Sequence, residues 1–333
     1  MMRVKMLGMA LTYTIAGMPD ARPGALPDLA ALAPDALLDA LLPAPALRAQ
    51  VAAALAEDLG SAGDVTSEVM VDAGARGRAV LRARQGGVVC GVRVAMEVIA
   101  QAAPAANVSV HVRDAERVEA GATILSVEGP LRGILAAERT MLNFVGRLSG
   151  VATLTAAFVE AVAGTRAAVV DTRKTTPGMR MLEKHAVRCG GGANHRIGLF
   201  DAMLVKDNHV AGLEPATFAA RIAEAATQAR GRHPIRFVEV ECDSIDQLAA
   251  LAALPPGTVD WALLDNMDPE RLAACVALRD HSCPALRLEA SGGVTLQAVA
   301  AIARTGVDRI SVGALTHSAP CLDVGLDIEA HAA

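Results

Sequence analysis

The segment 171-DTRKTTPGMR-180 puts Arg173 and Lys174 directly after the apolar run 166-RAAVV-170, where a buried strand would emerge at the edge of a sheet. From Arg166 to Lys206 the chain carries eight Lys/Arg against three Asp/Glu, whereas the whole protein has a formal net charge of −5. Cations gathered locally in an acidic protein point to an anionic ligand rather than to a polyanion-binding surface. The basic set is Arg139, Arg173, His195, Arg196 and Lys206, with Lys174 beside them. A guanidinium presents a planar fork that matches a carboxylate or phosphate in bidentate fashion, and a lysine acts as a point charge. Several such groups together imply a multiply charged ligand. His195 lies in 194-NHR-196, just after 190-GGG-192, and is read as facing that ligand. His185 and His209 are read as a helix-surface residue and a loop-packing residue.

Carboxylates and glycines supply the complementary chemistry. Glu241 and Asp265 end neighbouring strand candidates and suit a shared hydrated Mg²⁺, which needs only one or two carboxylates plus substrate oxygens. In 291-SGG-293 and 312-VGA-314, small residues let backbone N–H groups approach an anion, and a helix starting near Thr295 directs its positive end to the same place. A phosphate is the expected occupant. No Ser-His-Asp or Cys-His set suggests itself, which disfavours acyl transfer.

These residues need a scaffold that brings strand ends together. Six apolar runs qualify as strands: 167-AAVVDT-172, 202-AMLVKD-207, 235-IRFVEVE-241, 259-VDWALLD-265, 285-ALRLEASGG-293 and 309-RISVGAL-315. Each of the first five is followed by a helical segment, so repeated βα units and a parallel sheet are expected. Nearly all the candidate residues fall at or beyond the C-terminal ends of these strands, where a βα barrel builds its active site. The expected fold is α/β, an open or incomplete α/β barrel over residues 149–318. A second, smaller N-terminal α+β domain is expected over 41–148, from the helix 47-LRAQVAAALAEDLG-60 and short β-like runs. Residues 1–40, broken by prolines, are read as a disordered extension, and 319–333 as a C-terminal segment. The stretch 131–162 is helical in period, with a break expected at Ser149-Gly150.

Composition removes whole classes of function. A chain of 333 residues that is 53% hydrophobic supports a large core, but at 2% aromatic it offers no base-stacking platform for nucleic acid. The six cysteines lack the CxxC or Cys/His spacing of a zinc motif, and the reading is of reduced thiols in a cytoplasmic protein. No uninterrupted apolar run reaches the ~18 residues of a membrane span. The N-terminal 1-MMRVKMLGMALTYTIAG-17 has a faint likeness to a signal peptide and is read as part of the extension.

The segments 138-ERTMLNFVGRLSGVAT-153, 171-DTRKTTPGMRMLEKHAVRCGGGANHRIGLFD-201, 204-LVKDNH-209, 238-VEVECDS-244, 263-LLDNM-267, 289-EASGGV-294 and 311-SVGALTHS-318 closely resemble the quinolinate phosphoribosyltransferases, as does 57-EDLGSAGDVTSE-68. The resemblance implies transfer of a phosphoribosyl group from phosphoribosyl pyrophosphate to quinolinate, with decarboxylation, in NAD synthesis. It also implies a homodimer with shared active sites. Arg139, Arg173, His195, Arg196 and Lys206 would hold the two carboxylates of quinolinate, in a pocket that includes Thr172. Lys174, Glu241 and Asp265 would meet ribose, pyrophosphate and Mg²⁺, and Ser291, Gly292, Gly293, Val312, Gly313 and Ala314 the 5-phosphate. Two alternatives stay open: a related enzyme acting on another base, and a Schiff-base aldolase using Lys206 or Lys174.

Overall fold

All six apolar runs form strands, and all pair in parallel. The computed structural model describes residues 29–211, 213 and 215–329. In chain order these form α1 (Pro34–Leu41), α2 (Ala44–Leu59), α3 (Val65–Met70), β1 (Arg76–Ala83), β2 (Gly87–Val88), α4 (Val92–Ala102), β3 (Asn107–Val110), β4 (Arg117–Val118), β5 (Thr123–Pro130) and α5 (Leu131–Ala161). The second half comprises β6 (Ala168–Val170), α6 (Arg180–Cys189), β7 (Met203–Val205), α7 (Asp207–Val210), α8 (Pro215–Arg232), β8 (Val238–Cys242), α9 (Ile245–Ala252), β9 (Trp261–Asp265), α10 (Pro269–Ser282), β10 (Arg287–Ser291), α11 (Leu296–Arg304), β11 (Arg309–Ser311), α12 (Ala314–His317) and β12 (Val324–Glu329).

The parallel sheet runs β6-β11-β10-β9-β8-β7, so its first strand pairs with its last while β6 and β7 are its two outer strands. That order is an α/β barrel left open on one side. Strands such as 238-VEVEC-242 are buried on both faces, because helices cover the outside and the barrel interior is filled. The second domain is a four-stranded antiparallel sheet, β12-β1-β5-β3, backed by α5, on which α4 and α2 pack in turn.

Three expectations are corrected. The helix break at Ser149-Gly150 is absent, because both residues serve packing. A side chain at Gly150 would come 2.0 Å from the Pro320 carbonyl oxygen, and Ser149 Oγ accepts from the Cys90 N–H at 2.9 Å. Helix α5 therefore runs unbroken through the expected domain boundary at 148/149. It also has the length and apolarity of a membrane span, which a count of uninterrupted apolar residues overlooks, but 67% of its most apolar window is buried inside the protein. Residues 34–40, expected in the extension, belong to α1, whose Leu37 and Leu38 are buried and which packs on α6. Its Pro34 sits in the first turn, where a missing N–H costs nothing. Residues 1–28, including the signal-like stretch, lie outside the described residues. Finally, 319–333 is more than a trailing segment, since β12 is a strand of the small domain's sheet.

Candidate active site

Alternate residues of a strand share one face, and in the barrel this rule stacks the site in layers. On β8 the inward side chains include Glu239 and Glu241, on β9 Trp261, Leu263 and Asp265, on β10 Glu289 and Ser291, and on β11 Arg309 and Ser311. The upper members open into a cleft of about 930 Å³ whose lining includes Leu263, Glu289 and Ser311. The cleft brings together Thr172, Arg173, Lys174, His195, Arg196, Lys206, Glu241, Asp265, Ser291, Gly292, Gly293, Gly313 and Ala314.

Two expected site residues are not there. Val312 is buried, and its N–H donates to the Val170 carbonyl at 2.9 Å, so the sheet has already used the group that was to meet phosphate. Arg139 is exposed on α5 and does not line its own chain's cleft.

The basic side is built from the inside out. Lys184 on α6 pairs with Asp171, which also accepts from the His195 N–H at 2.9 Å and from Asn194 Nδ2 at 2.7 Å. This buried carboxylate fixes the 194–196 loop. His195 then lies within 2.8 Å of Glu239 and 3.3 Å of Glu289, edge-on to Phe237. Arg309, stacked 3.6 Å over Trp261, bonds both glutamates. Burial opposes charge on His195, but Glu289 and Glu239 outweigh it and bring its pKa up to about 9. Arg309 and His195 likewise overcome burial at Glu289 and hold it below the usual range, while burial raises Glu239. These four buried groups form a floor under the cleft, in which His195 Nε2 faces the glutamates and Nδ1 accepts from the Arg196 N–H at 2.7 Å.

Above it, Arg196 has its pKa lowered by burial and by Arg173. The Arg173 Nε is buried without a hydrogen-bond partner. A guanidinium left short of acceptors beside a second one is a site waiting for an anion. Across the cleft Lys206 pairs with Glu241, and Asp265 is raised in pKa by burial and then by the charge of Glu241.

The glycine elements have steric grounds. Gly292 has φ +95°, and a Cβ there would lie 2.2 Å from Asn266 Oδ1. Asn266 is itself left-handed at φ 52° and donates its N–H to the Ser291 carbonyl at 2.9 Å. At Gly313 a Cβ would meet Lys174 and His317, each at 3.0 Å. Thr316 Oγ1 donates to the Lys174 carbonyl at 2.8 Å. Sequence reasoning missed Asn266, Glu289 and His317, all in the cleft lining. All three sit in quoted segments, 263-LLDNM-267, 289-EASGGV-294 and 311-SVGALTHS-318, within three residues of ones it singled out.

His185 was misplaced: it is buried, with Nε2 3.1 Å from Asp114. His209 is exposed on α7, where its Nδ1 accepts from the Lys206 N–H at 2.8 Å.

Family models for the quinolinate phosphoribosyl transferase C-terminal and N-terminal domains match residues 151–327 and 64–149. The chain belongs to the quinolinate phosphoribosyl transferase family. Among family members, the nicotinate-nucleotide pyrophosphorylase [carboxylating] of Mycobacterium leprae is 44% identical over 285 residues, covering 85% of this chain and 97% of the relative. The solved nicotinate-nucleotide pyrophosphorylase of Francisella tularensis superposes with a TM-score of 0.76 at 38% identity, covering 85% of this chain and 96% of that one. That of Ehrlichia chaffeensis gives 0.75 at 35%, covering 84% and 97%. The two family regions meet within α5, whose packing joins the domains.

Proposed function

We propose that this chain is a quinolinate phosphoribosyltransferase, moving the phosphoribosyl group of phosphoribosyl pyrophosphate to the ring nitrogen of quinolinate with release of pyrophosphate and CO₂. The product is nicotinate mononucleotide. The observation that carries the reading is the buried, unpartnered Nε of Arg173 in a cleft that Arg196 and His195 also line, a set matched to a rigid dicarboxylate. Lys206 would exchange Glu241 for the second ligand carboxylate.

The Gly292, Gly293 and Gly313 backbones would take the 5-phosphate, leaving C1 of the ribose in front of the clamped ring. Lys174 stabilises the charge that leaves with pyrophosphate, and the in-line geometry set by the cation clamp brings the ring nitrogen to C1. The nitrogen, once quaternary, accepts the electron pair of the C2–carboxylate bond, and CO₂ departs. No side chain acts as nucleophile.

The donor set fits Mg²⁺: Glu241 and Asp265 are hard oxygen ligands, and the repulsion that raises Asp265 is what a divalent cation relieves. When bound, the ion would supply charge neutralisation at the pyrophosphate. A shared site in a homodimer is supported by the position of Arg139, exposed and outside its own cleft. A cytoplasmic setting is supported by six free cysteines, four of them buried. The aldolase alternative needs a desolvated lysine amine, whereas Lys206 Nζ is engaged by Glu241.

The test is purified protein with Mg²⁺ and both substrates, following nicotinate mononucleotide. Folded protein that makes none overturns the assignment. Borohydride trapping of a substrate carbon on lysine would instead favour the aldolase.

A further inference from the structure

Away from the cleft, four side chains converge in the seam between the small domain and α6. Cys90 precedes α4, Asp114 lies between β3 and β4, and His185 and Cys189 sit one turn apart on α6. One donor atom from each lies within 4.8 Å of the other three. His185 Nε2 is 3.1 Å from Asp114 Oδ2 and 3.5 Å from Cys189 Sγ. Cys90, His185 and Cys189 are buried, and the Asp114 side chain is only 3% exposed.

The surroundings hold these groups in place. Cys90 is fixed by its backbone, the N–H donating to Ser149 Oγ at 2.9 Å and the carbonyl accepting from the same hydroxyl at 3.1 Å. Asp114 Oδ1 accepts from the Val92 N–H at 2.9 Å, which leaves Oδ2 turned to the imidazole. The i,i+4 spacing of His185 and Cys189 puts both on one helix face.

We propose that Cys90, Asp114, His185 and Cys189 form a structural zinc site that fastens the small domain to α6. Two thiolates, one imidazole and one carboxylate make a four-coordinate N/O/S set, the chemistry zinc selects over Mg²⁺ or Ca²⁺. Donor atoms around tetrahedral zinc stand about 3.3–3.8 Å apart, so the observed spread closes with side-chain movements of about an ångström. Binding displaces the thiol protons and the Nε2 proton of His185, leaving a neutral imidazole as ligand. The sequence hides the site because its ligands span Cys90 to Cys189 with no short motif. Its position has a consequence for the cleft, since Lys184 next to His185 orients the 194–196 loop.

Full-length protein produced in zinc-supplemented medium, purified with reductant and without chelator, is analysed for metal. The expected content is about one zinc per chain, with a loss of about ten-fold in Cys90→Ala and in Cys189→Ala and full retention in the Glu241→Gln/Asp265→Asn variant. Because a cysteine variant can fail to fold, wild-type protein from cobalt-supplemented medium gives the second reading. Thiolate-to-cobalt charge-transfer absorption and strong tetrahedral d–d bands are expected. Absence of those bands in the cobalt protein, zinc that survives loss of Cys90 and Cys189, or a Cys90–Cys189 disulfide in the reduced zinc-grown protein each overturns the proposal.

Discussion

Lys184 and Asp171 form an ion pair 2.5 Å long in which neither side chain reaches solvent. Burial lowers the lysine's pKa even though Asp171 opposes it, so the pair is held by geometry and by the extra hydrogen bonds to Asp171. Replacing one partner strands a buried charge, which costs more than the pair itself contributes. Lys184→Met should therefore lose about 3–5 kcal/mol of stability, and Asp171→Asn in the same chain should restore part of it. Denaturant midpoints decide this; a Lys184→Met midpoint equal to wild type would mean Asp171 finds another partner.

Arg196→Lys keeps the charge and loses the fork. Quinolinate binding should weaken by about 2 kcal/mol, with phosphoribosyl pyrophosphate binding little changed. Calorimetric titration with each ligand separates the two, and an unaltered quinolinate affinity would remove Arg196 from the dicarboxylate clamp.

The pH response follows from His195. Its folded pKa, about 9, lies above the ordinary value of 6.5, so its stabilising proton is fully present below pH 6.5 and lost as pH rises through 9. Stability and quinolinate affinity should both fall across that window, and His195→Gln should flatten the fall in affinity. A profile unchanged by the substitution would show that another group titrates.

At Gly292, Ala combines a left-handed backbone with a collision on Asn266. The SGG turn must shift, so the KM for phosphoribosyl pyrophosphate should rise at least ten-fold while quinolinate binding stays near normal. Equal losses for both ligands would indicate general damage instead.

Arg139 and Lys206 test the shared site. Arg139→Ala and Lys206→Ala homodimers should each be nearly inactive, and subunit exchange should revive activity, because a mixed dimer holds one site with both lesions and one with neither. Random pairing makes about half the dimers mixed, so recovery should approach about a quarter of wild type. Verified exchange with no recovery would place Arg139 in cis or outside the site.

The barrel was legible because each strand is an apolar run ending in a functional residue, a pattern that survives without any tertiary information. The cleft's upper layer, from Arg173 to Gly313, came with it. The lower layer did not: Glu239 and Arg309 are charged residues inside apolar runs, and only the pairing of four strands reveals that they neutralise one another. Val312 was misassigned because a motif names neighbours together, whereas the sheet spends one N–H and leaves the next. Ser149-Gly150 read as a break because helix period cannot see that Pro320 presses against residue 150. Residues 1–40 read as broken by prolines, although Pro34 opens a helix. His185 looked superficial because the wall that covers it is Asp114, 71 residues earlier in the chain.

The strand β12 pairs with β1 from Arg78↔Glu329 to Ala83↔Val324. The domain that precedes the barrel in the chain is thus completed by residues that follow the barrel. While the ribosome is still making the barrel, β1 has an unpaired edge, and a nascent chain in that state is open to intermolecular strand addition. Vectorial folding, one domain finishing before the next begins, is closed to this architecture. The barrel's residues must all be synthesised before the amino-terminal sheet gains β12, one of its two outer strands.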